Sequence, residues 1–368
     1  MKGKNLSAGK PDYILLFAVG FLILFGIVIL TSVSAALSQE KFGSAVFYLF
    51  WHIVFGLLLG GLLGFGAYKM PLAYLKKKSP FFFLASLFFM LLVFAPKIGV
   101  SAGGASRWLN LGLTTLQPSE FLKIAVILYL AFWLSRRQTK LVSTLIAFFV
   151  ILGIVSVFLI LQPDVSTLGV ILICALAMYF VSGTSFKHNL TVVLTGLAAL
   201  ALLIKFETYR FERFLVFLKP DIDPMGLSYQ IKQALIAIGS GGIWGKAPGM
   251  SIQKFGFLPQ PMADSIFACF AEEWGLVGSV LLIILFLTFA WQGIVIAKKS
   301  QDKFCQFTAL GITVWITLQA FVNIGSMVGL LPLTGIPLPF ISYGGSALIA
   351  ELVGVGILLN ISKYIEHG

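Results

Sequence analysis

The sequence predicts an all-α, polytopic membrane protein of about ten spanning helices, with one long polar loop between the seventh and the eighth. Three observations predict it. Of 368 residues, 59% are hydrophobic and 11% charged, with a mean hydropathy of +0.99; soluble domains carry about a quarter charged residues and bury far less apolar surface. Apolar runs close to the ~20 residues that cross a hydrocarbon core recur along the chain. No ten-residue alternation marks a barrel, and backbone groups in lipid must be satisfied within each segment, so the runs are helices.

In order, the runs fall near 13–35, 47–68, 79–95, 118–135, 141–162, 165–183, 189–205, 266–297, 304–330 and 343–361. The first begins near Tyr13 without a small-x-small cleavage site, so a retained helix is expected rather than a signal peptide. Lys and Arg set the orientation. With the N-terminus in the cytoplasm, the inner side carries fifteen of them, including Lys2, Lys4, Lys76, Lys77, Lys78, Arg136, Arg137, Lys140, Lys298 and Lys299. The short outer loops carry four: Lys41, Lys97, Arg107 and Lys123. Both termini are then cytoplasmic, and the loop 206–264 faces outward as part of a single membrane domain over 1–368. The net charge of +12 is a topology signal, because its residues cluster between apolar runs and form no nucleic-acid-binding face.

Within the loop, Leu227, Ile231, Ala234, Leu235 and Ile238 recur at three- and four-residue steps opposite Gln230, Lys232 and Gln233. This predicts an amphipathic helix over 226–239, either lying in the membrane interface or packing as a surface helix against the bundle. Upstream, Tyr209, Phe211, Phe214, Phe217 and Leu218 interleave with Arg210 and Arg213, a second segment suited to headgroups. The glycine-rich run 239–245 follows no strand, so it reads as a turn and not as a phosphate loop. Cys174, Cys269 and Cys305 show neither CxxC nor Cys/His spacing, which argues against a disulfide framework or a zinc site.

The motifs of ATP hydrolysis, zinc hydrolysis and serine acyl transfer are missing, so any chemistry draws on an activated substrate or a gradient. Ionisable groups at membrane depth or its edge are functional candidates: Glu120, Asp164, Asp264 and the pair Glu272/Glu273. Glu120 and Lys123 share a helix face, and Lys123 also reaches toward Asp164; the arrangement is either a structural ion pair or part of substrate handling. Asp264 is either the N-cap of the eighth helix or a carboxylate at the water–lipid boundary, beside Lys246 and Lys254, that takes a proton from a hydroxyl. The stretch 331–346 contains Pro332, Pro337 and Pro339, which forbid a continuous helix. It is either a stiff connector or an outer re-entrant or tightly packed loop that lines a cavity or is buried in protein.

Together these residues resemble the SEDS family (shape, elongation, division and sporulation), the FtsW/RodA group, over nearly the whole chain. The resemblance rests on Gly104-Ala105-Ser106-Arg107-Trp108 with Gln117-Pro118-Ser119-Glu120, on Gln162-Pro163-Asp164, on Leu258-Pro259 and Asp264 with Glu272-Glu273-Trp274-Gly275, and on Asn323-Ile324-Gly325 through Ser342-Tyr343-Gly344-Gly345-Ser346. Where the family reads Leu-Pro-Glu-Ala-His-Thr-Asp, this chain has Gln260, Pro261, Met262 and Ala263 before Asp264, which leaves the aspartate as the single candidate base.

The resemblance implies a peptidoglycan glycosyltransferase that polymerises lipid II in the bacterial cytoplasmic membrane, with Asp264 as catalytic base. It implies substrate contacts from Arg107, Glu120, Lys123, Asp164, Lys246, Lys254, Ser342 and Tyr343, with Arg210 and Arg213 as further cations, and a divalent Mg or Mn ion as a possible aid. The implied partners are a class B penicillin-binding protein and other divisome membrane proteins. Thr31-Ser32-Val33-Ser34-Ala35 and Ser228-Tyr229-Gln230 are closer to the FtsW branch, hence a division-site role. The rival readings are a lipid II flippase that uses Glu120, Lys123 and Asp164 as a relay, and a non-catalytic scaffold.

Overall fold

The computed structural model describes residues 9–102, 105–112, 114–136, 141–206, 208–219 and 226–365. Lys2, Lys4, Gly104, Arg137 and Lys140 lie outside them, as do the side chains of Tyr209, Arg210, Phe214 and Leu227.

The elements run α1 (Tyr13–Phe42), α2 (Phe47–Trp51), a π-helical turn (His52–Leu58), α3 (Leu59–Lys69), α4 (Leu72–Leu92), β1 (Gly99–Ala102), β2 (Ala105–Asn110) and β3 (Thr115–Leu116). They continue with α5 (Pro118–Ser135), α6 (Leu141–Leu161), α7 (Val165–Val181), α8 (Phe186–Phe206), α9 (Thr208–Leu218), α10 (Leu227–Gly241), α11 (Ile266–Lys299), α12 (Lys303–Met327) and α13 (Gly345–Ser362). Each predicted apolar run is helical. Six helices or helix pairs among the described residues are long and apolar enough to cross a membrane, and two shorter apolar helices, Leu145–Leu161 and Val165–Val181, lie between them.

The helix ends follow local chemistry. Asp12 caps α1 by accepting from the Leu15 N–H at 2.9 Å, and Gly43, with φ 68°, closes the other end against the Gln39 carbonyl. Pro118 opens α5, where its missing N–H costs nothing. The third helix starts seven residues before the apolar run does, because Lys76, Lys77 and Lys78 ride on it. Lys76 pairs with Asp302 at 3.0 Å, so the lysines mark the helix's polar end and not a loop.

Two features depart from the sequence reading. Residues 99–102, 105–110 and 115–116 form a three-stranded antiparallel sheet in the order β1-β2-β3, whose strands of four, six and two residues are too short to appear as membrane-length runs. The eighth apolar run is two helices, broken at Gly275 (φ 63°). A side chain there would meet the Gly245 N at 2.3 Å. The 242–245 turn inserts into the break, and the Gly242 and Ile243 carbonyls accept the N–H groups of Leu276 and Val277 at 2.9 and 3.1 Å. The glycine run is thus a turn only over 242–245, which docks against the kinked helix; Gly239, Ser240 and Gly241 are the end of α10.

Helices α3 and α13 meet along a seam of small residues. A Cβ at Gly356 would lie 2.1 Å from the Gly64 carbonyl, so the backbones are in direct contact. At one end of this seam Asn360 donates to the Ala67 and Met70 carbonyls. Beside it the two ends of the chain meet: the Gly9 N–H donates to Lys363 O at 2.8 Å and the Asp12 N–H to Ser362 Oγ at 3.0 Å. Between α3, α4, α5 and α13 runs an apolar groove of about 490 Å³, from Met70 and Leu75 at that end to Leu116 and Pro118 at the other.

Candidate functional site

The proline-bearing stretch is the centre of the site. With Pro332, Pro337 and Pro339 it cannot satisfy its own backbone, yet Leu333, Ile336 and residues 338–342 are buried, so its main-chain groups need partners from elsewhere. Polar side chains of the surrounding helices supply them. Arg213 of α9 donates to Leu333 O at 2.9 Å, Ser166 of α7 to Thr334 O at 2.6 Å, and Asn323 of α12 to Ile336 O at 2.8 Å. Gln319 of α12 donates to Pro337 O at 3.1 Å, and Glu351 of α13 accepts the Phe340 N–H at 2.8 Å. The stretch is a tightly packed segment buried in protein, a strut gripped by four helices.

This strut holds Asp264. The Ser342 hydroxyl accepts from Leu338 N and donates to Ala263 O at 2.6 Å, the Tyr343 N–H donates to Met262 O at 2.8 Å, and Asn323 donates to the main-chain carbonyl of Asp264 itself at 2.8 Å. The residues that replace the family's Glu and His form a tight turn. Gln260 is left-handed (φ 50°), and its carbonyl accepts from the N–H groups of Ala263 and Ser265. Asp264 is not the helix cap: α11 begins at Ile266 with Ser265 as its cap residue.

The Asp264 carboxyl has an uneven environment. Oδ2 accepts a long contact from Gln230 of α10 at 3.5 Å, while Oδ1 is buried without a hydrogen-bond partner. Burial pushes the carboxyl above the usual carboxylate range, offset in part by main-chain N–H groups, by Gln230 and by the charge of Arg213. The cation acting on Asp264 is therefore Arg213, which corrects the expectation that Lys246 and Lys254 stand beside it. Lys246 pairs with Glu272 at 2.8 Å. Buried Lys254 donates to Ser32 Oγ, Gly249 O and Glu273 at 2.8, 2.6 and 3.3 Å. Both lysines tie the loop between α10 and α11 to the two glutamates of α11, whose remaining contacts are with Ser32, Ser240, Ser251 and the loop's own amides.

The other sequence candidates form a second buried network. Lys123 pairs with Glu120 at 2.8 Å, donates to Gln319 at 2.9 Å and lies over the Trp315 ring. Its partners are these and not Asp164, which caps α7 through the Thr167 N–H and accepts from Ser119 at 3.1 Å. Arg107 donates to the carbonyls of Gln162 and Pro163, joining the small sheet to the turn before α7. Through Gln319 this network reaches Pro337 and hence the strut that carries Asp264. Tyr343 packs edge-on against Tyr48 at 5.3 Å and beside His52 of the π turn at 5.7 Å, and burial raises its phenol.

Gln319 and Glu351 were not singled out from the sequence, and Asn323 and Gln230 only as parts of motifs or faces. Glu351 had a signal, being a lone carboxylate in an 18-residue apolar helix. For Asn323 and Gln319 the signal was the nearby proline run, whose unpaired carbonyls require donors.

The family model described as cell cycle protein (FtsW, RodA, SpoVE) matches residues 13–367. Stage V sporulation protein E of Bacillus subtilis is 38% identical over 361 residues, covering 97% of this chain and 98% of that one. A probable peptidoglycan glycosyltransferase FtsW of Geobacter sp. is 38% identical over 355 residues, covering 95% and 96%. Among solved structures, one described as the structural coordination of polymerization and crosslinking by a peptidoglycan synthase complex superposes with a TM-score of 0.79 at 30% identity, covering 96% of this chain and 97% of that chain. The rod shape determining protein RodA of Thermus thermophilus superposes at 0.69 and 28% identity, covering 96% of each chain. With nearly its full length matched, this chain belongs to the FtsW, RodA and SpoVE family of cell cycle proteins.

Proposed function

We infer that this chain is a peptidoglycan glycosyltransferase that joins lipid II units into glycan strands at the outer face of the cytoplasmic membrane. The observation that carries the reading is Asp264 Oδ1, an unpartnered carboxylate oxygen held in place by a strut that four helices brace. Its raised proton affinity suits a general base for a sugar hydroxyl.

In the transfer, the acceptor hydroxyl gives its proton to Asp264 as its oxygen attacks the anomeric carbon of the donor. The bond from that carbon to the diphosphate breaks, and the polyprenyl diphosphate leaves with the electron pair, inverting the centre. The donor is already activated, so no nucleotide site is needed. Arg213, beside Asp264, offsets developing negative charge. Arg107 and Lys246, both partly exposed, are the cations proposed to meet the rest of the substrate. Ser342 and Tyr343 frame the acceptor position, while Glu120, Lys123, Asp164 and Lys254 act by bracing it. Among the described residues no three His, Cys, Asp or Glu stand together; a magnesium or manganese ion would be held by Asp264, whose Oδ1 has no hydrogen-bond partner, and by the substrate's own phosphates, and it would screen diphosphate charge.

The groove between α3, α4, α5 and α13 takes the polyprenyl tail. It is apolar along its length, and at its Leu116–Pro118 end the Gln117 N–H donates to Ser346 Oγ at 3.0 Å, three residues beyond Tyr343. The meeting of the two chain ends on one face of the bundle fits cytoplasmic N- and C-termini with the loop 206–264 outside. A class B penicillin-binding protein is the proposed partner, supported by the similar solved structure whose subject is a complex for polymerization and crosslinking, and the division site is the proposed location, supported by the family's description as a cell cycle protein.

The test is strand formation from purified lipid II by the full chain together with its cognate penicillin-binding protein. Asp264→Asn is expected to abolish polymer while the complex still assembles. Full polymer yield from that variant would remove the base from the mechanism.

A further inference from the structure

We propose that Glu351 is a positioning residue for the transfer: from the second turn of α13 its carboxylate holds the Phe340 turn, and through that turn the segment bearing Asp264. The proposal rests on the reading of Asp264 given above.

Phe340 is left-handed, with φ 64°, a conformation that a bulky residue adopts only when its surroundings impose it. Three contacts impose it here. Glu351 Oε2 accepts the Phe340 N–H at 2.8 Å, in a place where no helix or strand offers that group a partner. The Phe340 ring packs edge-on against Phe289 of α11 at 6.2 Å. On the far side the Phe340 carbonyl abuts α1 so closely that a Cβ on Gly26 would lie 2.3 Å from it.

The turn that these contacts fix is closed on itself, since the Ile341 and Ser342 N–H groups return to Leu338 O at 3.2 and 3.0 Å. Its end carries the Ser342 hydroxyl and the Tyr343 N–H that bind Ala263 and Met262. A shift at Phe340 therefore moves the two residues before Asp264.

Glu351 has no hydrogen bond at Oε1, and Lys123, the ammonium whose charge reaches it, is held by Glu120 and Gln319. Its role thus needs one acceptor oxygen and no charge, so a glutamine performs it and a hydrocarbon does not.

The experiment compares Glu351→Gln and Glu351→Leu in the full chain, by hydrogen exchange of the peptide containing Phe340 and by steady-state polymerisation of lipid II. In Glu351→Leu the exchange rises by about tenfold or more, and kcat falls by about tenfold with KM within about twofold. Glu351→Gln keeps both near the parent. Unchanged exchange in the leucine variant, a glutamine variant as impaired as the leucine one, or a loss carried by KM would each overturn the proposal.

Should Glu351→Leu fail to fold, Gly26→Ala presses on the same turn from α1 with Glu351 intact. It is expected to lower kcat selectively, and an unaltered rate there counts against the proposal. Asp264→Asn, measured alongside, separates the two ideas: if it polymerises normally the base assignment falls, whereas the exchange result still decides whether Glu351 holds the turn.

Discussion

Replacing Asn323 by leucine removes two hydrogen bonds at almost constant volume. The amide nitrogen donates at 2.8 Å both to the Asp264 carbonyl and to the Ile336 carbonyl, and the residue is 2% exposed or less at its neighbours Ser326 and Met327 and 0% itself, so water cannot replace it. Hydrogen bonds between membrane helices are worth about 0.6 to 1.7 kcal/mol each, which puts the loss at roughly 1–3 kcal/mol for the pair. The catalytic consequence is larger than the thermodynamic one. Misplacing a reacting group by about an ångström costs up to about a hundredfold in rate, so kcat is expected to fall by about ten- to a hundredfold while KM for lipid II stays within about threefold. Asn323→Asp sharpens the test, because it turns a donor toward two carbonyls into an acceptor and is expected to be worse than leucine in both stability and rate. The assays are thermal unfolding in detergent and steady-state polymerisation. A leucine variant that melts and turns over like the parent would show that the amide does not hold Asp264.

Three further predictions concern charge. If Asp264 is the base, activity rises with pH along a limb displaced upward from the ordinary 3.8 of an aspartate, since the raised carboxyl must first lose its proton; a pH–rate profile that is flat through the acid range would count against it. The same displacement makes a stability statement. A carboxyl whose folded value lies above its unfolded one contributes stability below the unfolded value and loses it as pH rises through the folded one. The parent should therefore melt progressively below Asp264→Asn as pH increases, and parallel melting curves would contradict the burial argument. Lys123→Met strands Glu120 at 3% exposure and is expected to cost about 3–5 kcal/mol, whereas Lys123→Met with Glu120→Gln recovers most of it; equal losses for the single and double variants in denaturation would rule out the ion pair as the reason for both residues.

Much of this protein was legible in one dimension. Membrane character, helical class and the positions of the apolar runs follow from composition and run length, because lipid admits few ways to satisfy a backbone. The amphipathic helix α10 followed from three- and four-residue spacing, and it supplies Gln230 to Asp264. Asp264 itself stood out because acids are scarce in such a chain and the surrounding motif marked it. Lys246 and Lys254 meet partners that differ from the sequence expectation for a physical reason. Both are near Asp264 in the chain, but the kink at Gly275 admits the 242–245 turn and aligns them with Glu272 and Glu273.

What the order of residues determined alone is therefore whatever depends on local repetition: helix, membrane depth, amphipathic face and the impossibility of a helix through Pro332, Pro337 and Pro339. What the tertiary structure decided is which polar group answers which. Arg213 and Ser166 come from helices more than a hundred residues away, Asn323, Gln319 and Glu351 from the two helices that flank the strut, and each meets a different backbone group of it. An unsatisfied carbonyl in an apolar interior accepts any donor brought within reach, and bringing it there is a matter of packing, which no spacing along the chain encodes.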